Sequence, residues 1–139
     1  MKKAIVITSI NPPTKAIKKF AEYSLEIDDI NFYVVGDTKT DKNWHCDGVN
    51  FIGLKEQDVL FKNFSEKIPF KNYARKNLGY LKAIFDGANV IFDTDDDNLP
   101  YEFWSYDKNA SLKKVSVIGD NHSNIYKLSL IHISEPTRL

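Results

Sequence analysis

A single cysteine, Cys46, rules out an intrachain disulfide and suits a reducing, cytoplasmic setting. With no evident base near it in the sequence, Cys46 reads as an incidental thiol rather than a nucleophile. Net charge is also lacking, because 19 Lys and Arg offset 19 Asp and Glu. No broad basic field therefore exists to draw in nucleic acid or an anionic membrane. Long apolar runs are missing too, and no stretch has the length a bilayer crossing needs. The start, Met1 to Ile7, imitates a secretory signal, but Asn11-Pro12-Pro13 cuts the apolar stretch short and no small-residue cleavage site follows. A first β-strand accounts for it better. There is no internal repeat, low-complexity tract or linker. What remains is an ordinary soluble composition, 42% hydrophobic and 27% charged over 139 residues, enough for one domain with a real core.

Strand-like and helix-like stretches alternate along the chain. Ala4 to Ile10 is a β-branched apolar run of the kind buried on both faces of a sheet, and Thr14 can cap the helix that follows, where Ile17, Phe20, Ala21 and Leu25 recur at helical spacing. Asn31 to Asp37 reads as a second strand and Val49 to Leu54 as a short third. Val59, Leu60, Phe64 and Ile68 predict a helix over 55–68, which Pro69 ends. A broad apolar face at Leu78, Leu81, Ala83, Ile84 and Phe85 predicts another helix over 73–85, with Gly87 as its stop. Ala88 to Phe92 is a further strand, and Val115 to Ile118 one more. This order implies an α/β fold: a mostly parallel, Rossmann-like sheet flanked by helices.

The most informative run is Val90-Ile91-Phe92-Asp93-Thr94-Asp95-Asp96-Asp97-Asn98, an apolar strand that ends in four carboxylates within five positions. Crowded carboxylates repel one another unless a cation joins them. Mg²⁺ and Mn²⁺ suit carboxylate and water oxygens, and Mg²⁺ commonly adds phosphate oxygens from a substrate. Open α/β sheets receive ligands beyond the carboxyl ends of their strands, where these aspartates lie. A metal-assisted phosphate or diphosphate site follows. A solvated acidic turn is the plain alternative. An EF-hand loop fails, since Asn98 stands where its glycine belongs and Trp104 where its bidentate glutamate belongs. A phosphatase of the haloacid dehalogenase type would use Asp93 and Asp95, but Asp97 occupies the position of its Thr or Val.

Four segments together carry a family resemblance: Thr8-Ser9-Ile10-Asn11-Pro12-Pro13-Thr14, Val35-Gly36-Asp37-Thr38-Lys39, Tyr73-Ala74-Arg75-Lys76-Asn77-Leu78-Gly79-Tyr80-Leu81-Lys82-Ala83-Ile84, and Asp93 to Asn98. In order and approximate spacing they resemble the STELLO-type glycosyltransferases. The Arg-Lys-Asn-x-Gly-Tyr segment and the aspartate cluster are more distantly similar to the plant reversibly glycosylated polypeptides, which act on UDP-arabinose. The resemblance implies a GT-A-like fold, here its N-terminal part only, a nucleotide-sugar donor, an acceptor and a Mn²⁺ or Mg²⁺ cofactor. It implies Asp95 and Asp97 as a D-x-D metal pair, with Asp96 a further ligand or a contact to ribose or sugar hydroxyls and Asp93 supporting them. Arg75 and Lys76 are expected to meet the diphosphate or nearby carboxylates, and Asn77 and Gly79 to let the nucleotide approach closely. Gly79 also costs about 1 kcal/mol inside a helix, so packing can explain it as well. Thr8, Ser9, Asn11 and Asp37 are expected around base and ribose, although turn formation and capping explain them equally well. Trp44, Trp104 and Tyr106 are candidates for an acceptor site, with plain packing the simpler reading, and His45 and His122 have no metal-ligand spacing. The Golgi membrane location of the eukaryotic members does not carry over, as no anchor is visible here.

The expected activity is a metal-dependent transfer of sugar from a nucleotide diphosphate, with UDP the favoured nucleotide. Its alternatives are a nucleotide-sugar mutase, a non-catalytic nucleotide-sugar-binding accessory module and the phosphatase above. The last twelve residues, Leu128 to Leu139, resemble the conceptual translation of a transposase sequencing adapter and are set aside as a non-native scar. Residues 1–127 are then the nucleotide-sugar-binding part, and the base of an inverting enzyme is expected beyond Lys127.

Overall fold

A computed structural model describes residues 1–101, and the strand expected at 115–118, the aromatic residues Trp104 and Tyr106, His122 and the tail at 128–139 lie outside them. The described residues form strand β1 (Lys3–Thr8), helix α1 (Lys15–Glu26), β2 (Ile30–Val35), β3 (Asn50–Ile52), α2 (Leu54–Ser65), a 3₁₀ turn (Tyr73–Arg75), α3 (Lys76–Phe85) and β4 (Val90–Asp93). The sheet has the order β3-β2-β1-β4 and every pairing is parallel. This is the Rossmann-like α/β arrangement that the alternation of elements implied.

The core explains the sequence of β1. Ala4, Ile5, Val6 and Ile7 are all fully buried, because the strand is central and covered on both faces. On one face Phe20 of α1 meets Phe32 and Phe92 edge-on or tilted, with ring centroids about 6 Å apart. On the other, α3 presses Leu78 and Ala83 into a cluster with Ala4, Val6, Tyr33, Val35 and Ile52. Gly79 is where α3 comes nearest: a Cβ there would stand 2.6 Å from Val6 Cγ1 and 2.8 Å from Val35 Cγ2. Between the two explanations open for Gly79, packing against the sheet is what the geometry shows.

Helix α2 departs from its sequence pattern. Val59, Leu60 and Phe64, expected to face the core, are exposed, and the residues α2 buries are Gln57 and Ser65. A non-helical Phe61 (φ −142°, ψ 47°) breaks the helix and shifts the phase of the residues after it. A polar anchor takes the place of an apolar stripe. Gln57 Nε2 donates to the carbonyls of Gly36 and Ile52, and its Oε1 accepts from the Arg75 guanidinium. Leu25, Ile84 and Phe85 are likewise exposed rather than buried. Gly87 ends α3 as expected, with φ +87°, a conformation side chains disfavour. Among the described residues no helix is long and apolar enough to cross a membrane.

Candidate functional site

The strand order places a crevice. The chain runs outward from β1 to β2 and β3, then returns to the other side of β1 for β4, so β1 and β4 flank the topological switch point where open α/β sheets bind ligands. Asp93 is paired with Val6, which brings the aspartate run beside the loop leaving β1.

That loop and the aspartate run are tied together. Ser9 Oγ and Asn11 Nδ2 both donate to Asp96 Oδ2, the latter at 3.0 Å. The Thr14 hydroxyl donates to the Asp96 carbonyl and accepts from Ile17 N at 3.2 Å, so the residue that caps α1 also holds the aspartate loop. Next to this strap lies a cavity of about 330 Å³, lined by residues 8–11, 37–39 and 71–73 together with Asp96. Its volume falls at the lower end of small-ligand sites. Thr8, Ser9, Asn11, Asp37 and Asp96, all singled out from the sequence, meet on its wall.

The five residues do not contribute alike. Asp37 is buried, and its two carboxylate oxygens already accept the backbone N–H groups of Thr38 and Lys71, each at 2.6 Å. It fastens the segment before the 3₁₀ turn to the end of β2. Thr8 Oγ1 donates back to the Val35 carbonyl at 3.1 Å. Asn11 and Asp96 have exposed or half-buried side chains with spare acceptor and donor capacity.

Arg75 and Lys76, adjacent in sequence, point to different places. Arg75 is fully buried and gives its guanidinium to Gln57 Oε1, Ser65 Oγ and the Ile68 carbonyl, with the Phe70 ring 4.6 Å away. It does not line the cavity and pairs with no carboxylate among the described residues, contrary to the expectation of a contact to diphosphate or nearby carboxylates, and serves to join α2 to α3. Lys76 does reach the carboxylates. Its Nζ stands 2.5 Å from Asp93 Oδ1 and 3.1 Å from Asp95 Oδ1, and donates to the Thr94 carbonyl at 2.6 Å. The cation that crowded aspartates call for is thus supplied in part from within the chain. Asn77 is exposed and, like Gly79, lies away from the cavity lining.

The four aspartates form a gradient of engagement. Asp93 has Lys76 and the Tyr80 hydroxyl; burial, then that hydrogen bond, push the Tyr80 phenol up to about 12. Asp96 has Ser9 and Asn11, Asp95 has Lys76, and Asp97 is exposed with no side-chain hydrogen bond among the described residues. No group of three His, Cys, Asp or Glu converges among the described residues. His45 pairs with Asp47 at the surface, and Cys46, half-buried, has its thiol pushed up by burial. Neither lines the cavity.

Sequence reasoning missed Thr38, Lys39, Lys71, Asn72 and Tyr73 on the cavity wall. Lys39 and Lys71 bring two exposed ammonium groups there and Tyr73 an exposed ring. The available signal was the Lys71-Asn72 pair: Lys71 takes a positive φ of 55° and Asn72 Oδ1 accepts from Ala74 N, a turn-and-cap arrangement of the kind asparagine favours.

Comparison with known proteins finds two similar sequences from one plant. Over 94 residues the chain is 33% identical to the probable glycosyltransferase STELLO2 of Arabidopsis thaliana and 32% identical to the probable glycosyltransferase STELLO1 of the same plant. The chain is related to the STELLO-type glycosyltransferases. The matched stretch takes in 68% of this chain and 12% of the length of each STELLO protein. No family model matches the chain.

Proposed function

We propose that this chain carries the donor-binding part of a glycosyltransferase that uses a nucleotide diphosphate sugar, with UDP as the nucleotide and Mn²⁺ or Mg²⁺ as the cofactor. The observation that carries the reading is the convergence, at the switch point of a parallel sheet, of the β1 loop and the Asp93–Asp97 run beside a cavity of about 330 Å³. Kinship to proteins named probable glycosyltransferases supports the reaction class. A cytoplasmic setting belongs to the same reading and rests on the lone cysteine.

The residues fit such an ion in one particular way. Among the described residues no third protein ligand converges, so these residues by themselves offer no protein-only cage. Mg²⁺ characteristically takes one or two carboxylates and completes its shell with water and substrate phosphate. Asp95, which keeps one carboxylate oxygen free of Lys76, and Asp97, exposed and without a side-chain hydrogen bond among the described residues, would supply that pair. When bound, the ion would stabilise the negative charge on the leaving diphosphate as its bond to the anomeric carbon breaks. Lys76 adds a fixed positive charge on the same side. Lys39 and Lys71 extend the cationic wall, Tyr73 offers an aromatic surface to a base, and Asn11 and Asp96 offer polar atoms to ribose or sugar hydroxyls. The Ser9–Asp96 and Thr14–Asp96 bonds keep these parts in register.

The test is calorimetric titration of the chain with UDP, GDP and ADP, with and without Mn²⁺. Metal-dependent binding of UDP in preference to the others, abolished by Asp97→Asn, is the expected result. A folded chain that binds no nucleotide under any of these conditions would remove the basis for the reading.

A further inference from the structure

Lys76 has a place in this site beyond surface charge. Its side chain is only 9% exposed, whereas those of Asp93 and Asp95 are 59% and 44% exposed. An ammonium has three N–H donors, and here three oxygens receive them: Asp93 Oδ1, Asp95 Oδ1 and the Thr94 carbonyl. The lysine is the first residue of α3, a helix held from behind by the buried Arg75 network and seated on the sheet at Gly79. The positive charge is therefore fixed in place by the fold.

We propose that Lys76 makes loading of the divalent ion depend on the nucleotide. This rests on the reading of the site as one for a metal-bound nucleotide diphosphate. With the ammonium already between Asp93 and Asp95, a free divalent ion approaching Asp95 and Asp97 meets a resident like charge and a carboxylate already partly neutralised. An ion arriving with a diphosphate brings negative oxygens that both it and Lys76 can engage, so the repulsion is replaced by shared attraction. Lys76 is thus a positioning residue: it disfavours the empty-handed ion and favours the complex.

The experiment is titration of the full chain with Mn²⁺ alone and with Mn²⁺ plus UDP, free Mn²⁺ being followed by electron paramagnetic resonance and folding by circular dichroism. Lys76→Met is expected to bind Mn²⁺ alone at least about tenfold more tightly than the unsubstituted protein. Lys76→Arg, which keeps the charge, should stay near the original value, and adding Asp95→Asn to Lys76→Met should cancel the gain. Affinity in the presence of UDP should not rise with it, so the ratio between the two titrations shrinks in Lys76→Met, whereas a lysine that only held the loop in place would change both affinities together. The proposal is overturned by a folded Lys76→Met whose affinity for Mn²⁺ alone is unchanged or weaker, or by a gain that survives Asp95→Asn. Should Lys76→Met fail to fold, Lys76→Gln is read in the same way: a folded Lys76→Gln with unchanged or weaker affinity for Mn²⁺ alone overturns the proposal, and a gain of about tenfold that Asp95→Asn cancels supports it. Absence of Mn²⁺ binding even with UDP would instead remove the metal–nucleotide reading itself, and this proposal with it.

Discussion

Asp37, on the cavity wall, is buried with both carboxylate oxygens accepting backbone N–H groups; Asp97, in the neighbouring aspartate run and outside the cavity lining, is exposed, with no side-chain hydrogen bond among the described residues. Both aspartates follow an apolar strand, and both looked like ligand contacts in the sequence. Their surroundings separate them. A carboxylate whose oxygens are taken by backbone amides is part of the scaffold, and replacing those bonds by ligand bonds gains little. A carboxylate left to water at a strand end, among like charges that one lysine only partly offsets, still has its coordination to give. The site thus joins a rigid wall, held by Asp37, to an unsaturated aspartate run beside it.

The largest effect should come from breaking the rigid wall. Asp37→Ala leaves the Thr38 and Lys71 amides without their acceptor, and hydrogen bonds to a charged group contribute roughly 1.5–3 kcal/mol each. A loss of about 3 kcal/mol in urea unfolding is expected, with Asp37→Asn less severe because one acceptor oxygen survives. A loss below about 0.5 kcal/mol would erase the distinction between the two aspartates.

Next in size is Gly79→Ala, which moves the helix that carries Lys76. The added methyl meets side-chain carbons of Val6 and Val35 at 2.6 and 2.8 Å, so either α3 lifts or the two valines shift. Overpacking of this kind costs about 1–3 kcal/mol. Thermal unfolding should show the destabilisation, and Mn²⁺–UDP affinity should fall with it because Lys76 leaves Asp93 and Asp95. Destabilisation with affinity intact would mean that the placement of Lys76 tolerates movement of its helix.

How far the sequence announced all this differs from residue to residue. The continuous run at Ala4 to Ile7 predicted a central strand, and the structure buries all four residues, because β-branched runs without alternation suit a sheet covered on both sides. The clustering of Ser9, Asn11, Asp37 and Asp96 was also legible, since each closes a strand and parallel strands bring those ends together. What the sequence did not show is which partners distant in the chain each residue takes. Arg75 and Lys76 are indistinguishable as a dipeptide; only the presence of Gln57 and Ser65 behind one and Asp93 and Asp95 before the other assigns their roles. Helix α2 was misread because apolar periodicity assumes one unbroken helix buried by apolar contact, whereas Phe61 breaks it and Gln57 anchors it by hydrogen bonds.

A smaller effect tests the unsaturated aspartate run. Asp97→Asn should change stability by no more than about 0.5 kcal/mol, as expected for an exposed side chain without a hydrogen bond among the described residues. Its Mn²⁺–UDP affinity should nevertheless fall by about tenfold, equivalent to about 1.4 kcal/mol, through loss of an anionic ligand. The inverse outcome, a destabilised protein that binds normally, would place Asp97 with the scaffold and Asp37 would no longer contrast with it.

The subtlest effect is on pH dependence, and it probes Asp93, which lies between the two extremes. Burial first, and then the hydrogen bond to Asp93, raise the Tyr80 phenol from 10.0 to about 12. A raised pKa means that the folded state keeps the proton the unfolded chain releases, so the associated stability is fully present below pH 10 and drains away as pH climbs toward 12. Tyr33, raised still further by burial and then by its bond to Asp86, acts in the same direction. Tyr80→Phe should therefore flatten the alkaline limb of a stability–pH curve without abolishing it, while the limb remaining belongs to Tyr33. If Asp93 is held by the protein in this way, through both Lys76 and Tyr80, then Tyr80→Phe frees one side of that carboxylate and brings it closer to the condition of Asp97. Mn²⁺ binding without nucleotide should rise slightly in that variant at neutral pH, and an unaltered affinity would show that Lys76 alone keeps Asp93 out of the ligand set.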